Sequence, residues 1–293
     1  MIFTGRSHKQ VCNIWKKVLQ CQRHHSTLIS QARTKLSSLG QGQVLLEKDP
    51  STGIAVVTLD HQEKKNALSG SMMVQLADIA EDLSHWKEGK GMIFQAKGDF
   101  FCSGGDLTTV KAICNPEDGL LMSTLMHDTL TKIYSSPLLT VCLVHGKAIG
   151  GGAELTTITD FRLFTETGEV CFVQGRMGVV TGWGGGTRLV KLVGANRALD
   201  LLTTSRKLDA SLALEVCYAD QTVSSKDRLS ETKVWLKERL SYDSEVTQAL
   251  KRIVVDARDL PFEDSLLQER RNFSPLWGGP ANVRALKGNL KHK

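Results

Sequence analysis

Phe101-Cys102-Ser103-Gly104-Gly105-Asp106-Leu107, with Gly146-Lys147-Ala148-Ile149-Gly150-Gly151-Gly152-Ala153-Glu154-Leu155 further on, decides how this chain reads. Each segment sets glycines where an apolar strand runs out and a helix begins. There the backbone N–H groups are unpaired, and the missing side chains let a ligand approach closely. Two such junctions facing one another aim two N–H donors at one point, the arrangement that stabilises a developing oxyanion.

Strand and helix signals alternate around these segments. Ile54–Leu59 reads as a strand and is followed by a polar turn through Asn66. Ser69 is placed to cap a helix in which Met72, Leu76, Ile79, Leu83 and Trp86 form one apolar stripe. Met92–Ala96 is the next strand. Leu121, Leu125, Leu130 and Ile133 predict another amphipathic helix, stopped by Pro137. Strands follow at 138–144, 161–165 and 170–173. This alternation predicts a wound α/β core over residues 44–229. Residues 230–293 read as helical, with Val234, Leu236, Leu240, Val246, Leu250 and Val254 set among charges.

The chain has 293 residues, 41% of them hydrophobic, and 26 glycines, which suits one main globular domain. No apolar run approaches the ~18–20 residues of a membrane span. The seven cysteines lack CxxC spacing and several sit in apolar runs, which argues for buried thiols over zinc or a disulfide framework. No histidine cluster suggests a metal either; His127 and His145 read as structural. Residues 1–46 carry seven Lys or Arg and no acid, whereas the remainder has 30 basic against 31 acidic residues. A nucleic-acid binder needs a basic stripe on its folded body, and this balance offers none. The basic leader, residues 1–43, is either a mitochondrial presequence or an unstructured tail.

The two glycine segments resemble the signature segments of the crotonase (enoyl-CoA hydratase/isomerase) superfamily, over residues 44–290. The resemblance implies the ClpP/crotonase-like spiral of ββα units, with a C-terminal helical region that packs on neighbouring subunits in a homotrimer or homohexamer. It implies an acyl-CoA thioester as substrate, with no separate cofactor. The oxyanion donors are then the N–H groups of Gly105 and Gly151. Lys65-Asn66-Ala67-Leu68 matches the family's CoA-contact segment. There Lys65 faces the nucleotide phosphates, and the backbone of Ala67 and Leu68 lines the acyl-pantetheine path. Gly104, Asp106 and Leu107 complete the first block, where Asp106 is equally suited to cap the following helix. Arg270, Arg271, Lys287 and Lys291 place positive charge in the segment that family members pack beside a neighbour's site.

Glu154 aligns with the first of the two catalytic hydratase glutamates, which makes it a catalytic residue and the candidate acid of this site. Its position also suits a carboxylate that merely favours a helix N-terminus. The second glutamate belongs to a Pro-Glu step before Gly-Ile-Ile-Pro-Gly-x-Gly-Gly, and this chain has Gly178-Val-Val-Thr-Gly-Trp-Gly-Gly-Gly186 instead. Aligned without a gap, Val173-Gln174 falls on Pro-Glu, and a one-residue gap brings no acid there. An amide neither takes nor gives a proton usefully near neutral pH, so the machinery for adding water is incomplete.

A decarboxylation needs no base, because loss of CO₂ itself leaves the electron pair on the α-carbon. Among family members lacking the glutamate pair, the resemblance is to those that decarboxylate ethylmalonyl-CoA to butyryl-CoA, with methylmalonyl-CoA a lesser substrate. That implies a metabolite-repair role in the cytosol, while the basic leader points to the mitochondrion. Gln174 and Trp183 are assigned to the acyl site, where Trp183 either shapes the pocket or anchors the core. Two other readings compete. A hydratase or isomerase is opposed by Gln174. A non-catalytic crotonase-fold binding protein is opposed by the intact glycine blocks and Glu154.

Overall fold

The computed structural model describes residues 25–288. Its strands are β1 (Gln43–Asp49), β2 (Ile54–Asp60), β3 (Gly91–Ala96), β4 (Leu139–Val144) and β5 (Lys147–Ile149). After them come β6 (Phe161–Phe164), β7 (Glu169–Cys171), β8 (Leu208–Asp209) and β9 (Gln221–Thr222). One sheet runs β1-β2-β3-β4-β6-β9, antiparallel at β1/β2 and parallel elsewhere. A smaller sheet, β5-β7-β8, carries the second glycine block at its edge.

Both faces of the larger sheet are covered, which explains its near-continuous apolar strands. Along β2 the side chains divide by the two-residue period: Ala55, Val57 and Leu59 enter the main core. Ile54 and Val56 enter a second cluster with Trp235, Leu236 and Leu240. The helices over the main core include α1 (residues 25–36), α2 (Gly70–Ser84), α3 (Leu107–Ala112), α4 (Pro116–Tyr134) and α5 (Gly151–Leu155). Ser69 caps α2 by accepting from Met72 N–H, and Met72, Leu76, Ile79 and Leu83 are buried as their spacing predicts. Trp86 lies past the helix end, packed half-buried against the core. Asn115 caps α4, Pro116 takes its first turn, and the helix closes before Pro137.

The leader differs from expectation. Residues 25–36 form α1, which buries Ala32 and Leu36 in the main core beside Ile29. That i, i+3, i+7 stripe is short and lies among basic residues, so charge density masked it. An unstructured leader therefore does not extend over residues 25–43, and residues 1–24 lie outside the described residues.

The remaining helices are α6 (Gly185–Val193), α7 (Ala195–Thr204), α8 (Ala210–Glu215), α9 (Arg228–Arg239), α10 (Ser244–Asp259), α11 (Phe262–Phe273) and α12 (Pro280–Lys287). Helix α9 supplies Trp235 and Leu236 to the second cluster. Helix α10 is pinned by buried Lys251, which donates to Leu138 O and pairs with Asp160 at 2.8 Å. Beyond these contacts α10, α11 and α12 leave Leu250, Val254, Phe262, Phe273 and Leu286 exposed, as is Trp277 between α11 and α12.

Candidate active site

The first glycine block is stitched to the Lys65–Leu68 segment. Leu68 N–H donates to Gly104 O, and Asp106 N–H donates to Leu68 O, both at 2.8 Å. These bonds straddle Gly105 in a parallel bridge, which turns the N–H of Gly105 away from Leu68. Lys65 and Asn66 both take φ 54°. The buried Asn66 side chain holds that conformation by accepting from His61 N–H and donating to Lys97 O and Phe100 O. Nothing local in the sequence marks an asparagine that bonds across a loop. Ala67 and Leu68 are buried, while Lys65 is exposed with its ammonium 5.2 Å from the centre of the Phe100 ring.

The second block meets the first. Cys102 bridges Ala148, and Ile149 N–H donates to Cys102 O at 2.8 Å. A Cβ on Gly152 would stand 2.1 Å from Cys102 O, so only glycine fits there. A Cβ on Gly104, at φ +103°, would lie 3.3 Å from Gly151 N, which puts the two blocks in direct contact. Gly151 opens α5, where a first-turn N–H has no acceptor within its own helix. Neither its N–H nor that of Gly105 has a hydrogen-bond acceptor among the described residues. Both glycines are half-buried. The side chains nearest them are apolar: Val110 and Trp183 at Gly105, and Trp183 at Gly151.

Glu154 projects from α5 beneath the glycine-rich loop and is 2% exposed. Its Oε2 accepts from Trp183 N–H at 2.9 Å and Gly185 N–H at 2.8 Å. Its Oε1 accepts from Gln174 Nε2 at 3.0 Å and Gly182 N–H at 3.3 Å. All four partners are N–H donors, a set that an acceptor-only carboxylate satisfies in full. Gln174 thus stands beside Glu154, and its own Oε1 is buried without a partner.

The loop is held from other directions too. Arg188 Nη2 donates to Trp183 O at 2.7 Å, and Arg188 Nε donates to Thr157 Oγ1 at 2.9 Å. Burial lowers the Arg188 pKa, and the nearby negative charge of Glu154 opposes that shift. Ser123 Oγ donates to Gly182 O at 2.7 Å, and the Trp183 indole N–H donates to Met122 Sδ at 2.9 Å. Met122, Ser123 and Arg188 were not among the expected site residues. Helix α4 meets the loop only in three dimensions, and Arg188, though on the helix that follows the loop, folds back onto it.

Other expected residues fall into place around this centre. Asp106 caps α3 by accepting from Thr109 N–H at 2.9 Å, with Lys64 Nζ 3.9 Å from its other oxygen. Leu107 is 60% exposed at the start of α3. Arg270 and Arg271 on α11 and Lys287 on α12 are exposed, and Lys291 lies outside the described residues.

The family model for enoyl-CoA hydratase/isomerase matches residues 49–278. The chain belongs to that family. Two relatives named ethylmalonyl-CoA decarboxylase are similar over most of their length. That of Xenopus laevis is 40% identical over 298 residues, covering 100% of this chain and 99% of its own. That of Gallus gallus is 43% identical over 262 residues, covering 88% of each. The crystal structure of enoyl-CoA hydratase from Bacillus anthracis superposes with a TM-score of 0.77 at 21% identity, covering 83% of this chain and 94% of that one. At that identity it shows the crotonase fold, which agrees with the wound α/β order described above.

Proposed function

We propose that this crotonase-fold chain is a carboxy-lyase that decarboxylates ethylmalonyl-CoA to butyryl-CoA, with methylmalonyl-CoA a lesser substrate. The observation that carries this reading is the Glu154–Gln174 pair at 3.0 Å, a carboxylate beside an amide where water addition needs two carboxyl groups. The relatives named ethylmalonyl-CoA decarboxylase support it. In this reading the thioester oxygen docks between the N–H groups of Gly105 and Gly151. The bond from the α-carbon to the carboxylate breaks, and its electron pair passes into an enolate whose oxygen those donors stabilise. Losing one such donor typically costs ~3–4 kcal/mol of transition-state stabilisation. The apolar flank of Val110 and Trp183 favours departure of neutral CO₂ over retention of a carboxylate. A solvent proton then completes the product at the α-carbon. Glu154, committed to four N–H donors, acts by positioning the loop.

The exposed Lys65 faces the CoA phosphates, while Ala67, Leu68 and Gly104 line the pantetheine path. The enzyme removes a wrongly carboxylated acyl-CoA, a repair role placed in the cytosol. It assembles as a trimer or paired trimers through the apolar faces of α10 to α12. The deciding assay follows CO₂ release from ethylmalonyl-CoA beside hydration of crotonyl-CoA. Release that dominates is expected; hydration without release would overturn the reading. Imaging the full chain beside one lacking residues 1–24, which spares α1, tests location. A mitochondrial signal lost on truncation would overturn the cytosolic assignment.

A further inference from the structure

We infer that Trp183 sets the upper size limit for the α-alkyl group of the substrate, an inference that rests on the decarboxylase reading. The six-membered edge of its indole lies beside both glycines. A Cβ on Gly151 would lie 2.5 Å from Cζ3 and 2.6 Å from Cη2, and one on Gly105 would lie 4.0 Å from Cζ2. A thioester oxygen held between these two N–H groups leaves its α-carbon two bonds away, so the α-substituent must pack along that edge.

A wall selects by size only if it cannot yield, and this one is fastened on three sides. The backbone of Trp183 is gripped at its N–H by Glu154 and at its carbonyl by Arg188, both groups buried. The preceding carbonyl, Gly182 O, accepts from Ser123. The ring itself is tethered through Nε1 to Met122 Sδ. Swinging the indole aside would leave its N–H without that acceptor, and the residue is only 5% exposed. Apolar pockets of fixed shape discriminate single methylenes by about 10–200-fold. A rigid indole edge therefore limits the length of the α-alkyl group, with the ethyl group of the proposed substrate accepted and longer chains disfavoured.

The test compares the intact enzyme with Trp183→Phe and Met122→Leu. Turnover is measured on malonyl-CoA thioesters bearing α-methyl, α-ethyl and α-butyl groups. Calorimetry gives Kd for the corresponding products, propionyl-, butyryl- and hexanoyl-CoA. Trp183→Phe is expected to lower the ethyl-to-butyl ratio of kcat/KM by about tenfold or more. The butyryl-to-hexanoyl binding preference should fall in parallel. Met122→Leu keeps the apolar volume but removes the sulfur acceptor, and should shift both ratios the same way by less. Ratios unchanged in both variants, or a loss of turnover uniform across chain lengths with unchanged binding preference, would overturn the inference. Absence of CO₂ release from the unaltered enzyme would instead refute the decarboxylase reading, and the binding ratios would still judge the wall.

Discussion

At the scale of single residues, the roles of Glu154 and of the two glycines proposed as donors can be separated by substitution. Glu154→Gln turns an NH₂ toward backbone N–H groups that now donate to the carboxylate. Each buried donor left unpaired costs ~1–3 kcal/mol. The expected result is a lower melting temperature, with decarboxylation falling in parallel. An unchanged melting temperature beside a ~100-fold or greater loss of rate would make Glu154 the proton source instead. The glycines should differ from each other. A Cβ on Gly151 would run into the indole at 2.5 Å, whereas one on Gly105 would meet Val110 Cγ2 at 3.3 Å. Gly151→Ala should therefore lose far more turnover than Gly105→Ala, and adding Trp183→Phe should restore part of it. Equal losses, with no such coupling in a double-mutant cycle, would refute the indole contact as the cause.

At the scale of elements, two buried polar groups make the packing of strand and helix measurable. His145, just beyond β4, is 1% exposed, and its ring nitrogens make no hydrogen bond of good geometry. Burial pushes its pKa down to about 4, aided by the Arg228 cation and weakly opposed by the Leu143 and Gly98 carbonyls. The unfolded chain protonates first as pH falls below ~6.5, while the folded chain holds the ring neutral. The stability due to neutral His145 is thus present above ~6.5 and lost as pH falls toward 4. Replacing His145 by Leu should shrink the difference in unfolding free energy between pH 7 and pH 4.5 by about 2 kcal/mol, read from urea titrations. An undiminished difference would assign the acid sensitivity to other groups. Lys251 is the corresponding group on α10, where burial lowers its pKa and Asp160 opposes the shift. Lys251→Met leaves the Asp160 carboxylate without its cation, held only by the Thr140 N–H and hydroxyl, and should cost roughly 3 kcal/mol in chemical denaturation. A neutral result would mean that α10 docks through apolar contacts alone.

At the scale of the whole molecule, the helices after the sheet leave large apolar side chains exposed. Val254 is 67% exposed, Trp277 71% and Leu286 71%, on three successive segments of the C-terminal region. Scattered apolar residues are ordinary on a surface, but a run of them from α10 to α12 is what the proposed assembly would bury. Val254→Glu and Leu286→Glu alter groups that one subunit already exposes, so each monomer should fold normally. Sedimentation equilibrium is expected to show a trimer or hexamer for the unaltered chain and smaller species for the variants. Unchanged assembly in both would place the interface elsewhere.

The sequence by itself determined the order β2, α2, β3, α4, β4, β6 and β7, the capping of α2 by Ser69, and the pairing of the two glycine blocks. It also placed an amide, Gln174, where a second acid would be needed. Those features are local: they follow from apolar period, from helix caps and from residues too small to block a backbone N–H. Tertiary structure alone decided that Glu154 serves as the anchor of a loop and that α1 belongs to the core. It alone showed that Met122, Ser123 and Arg188 converge on Gly182 and Trp183. Their partners lie 61, 59 and 5 residues away along the chain. Even the near one, on the first turns of α6, is specified by where a buried guanidinium finds an acceptor. A hydrogen bond between distant segments leaves no period or spacing in either of them, so only the folded arrangement can reveal it.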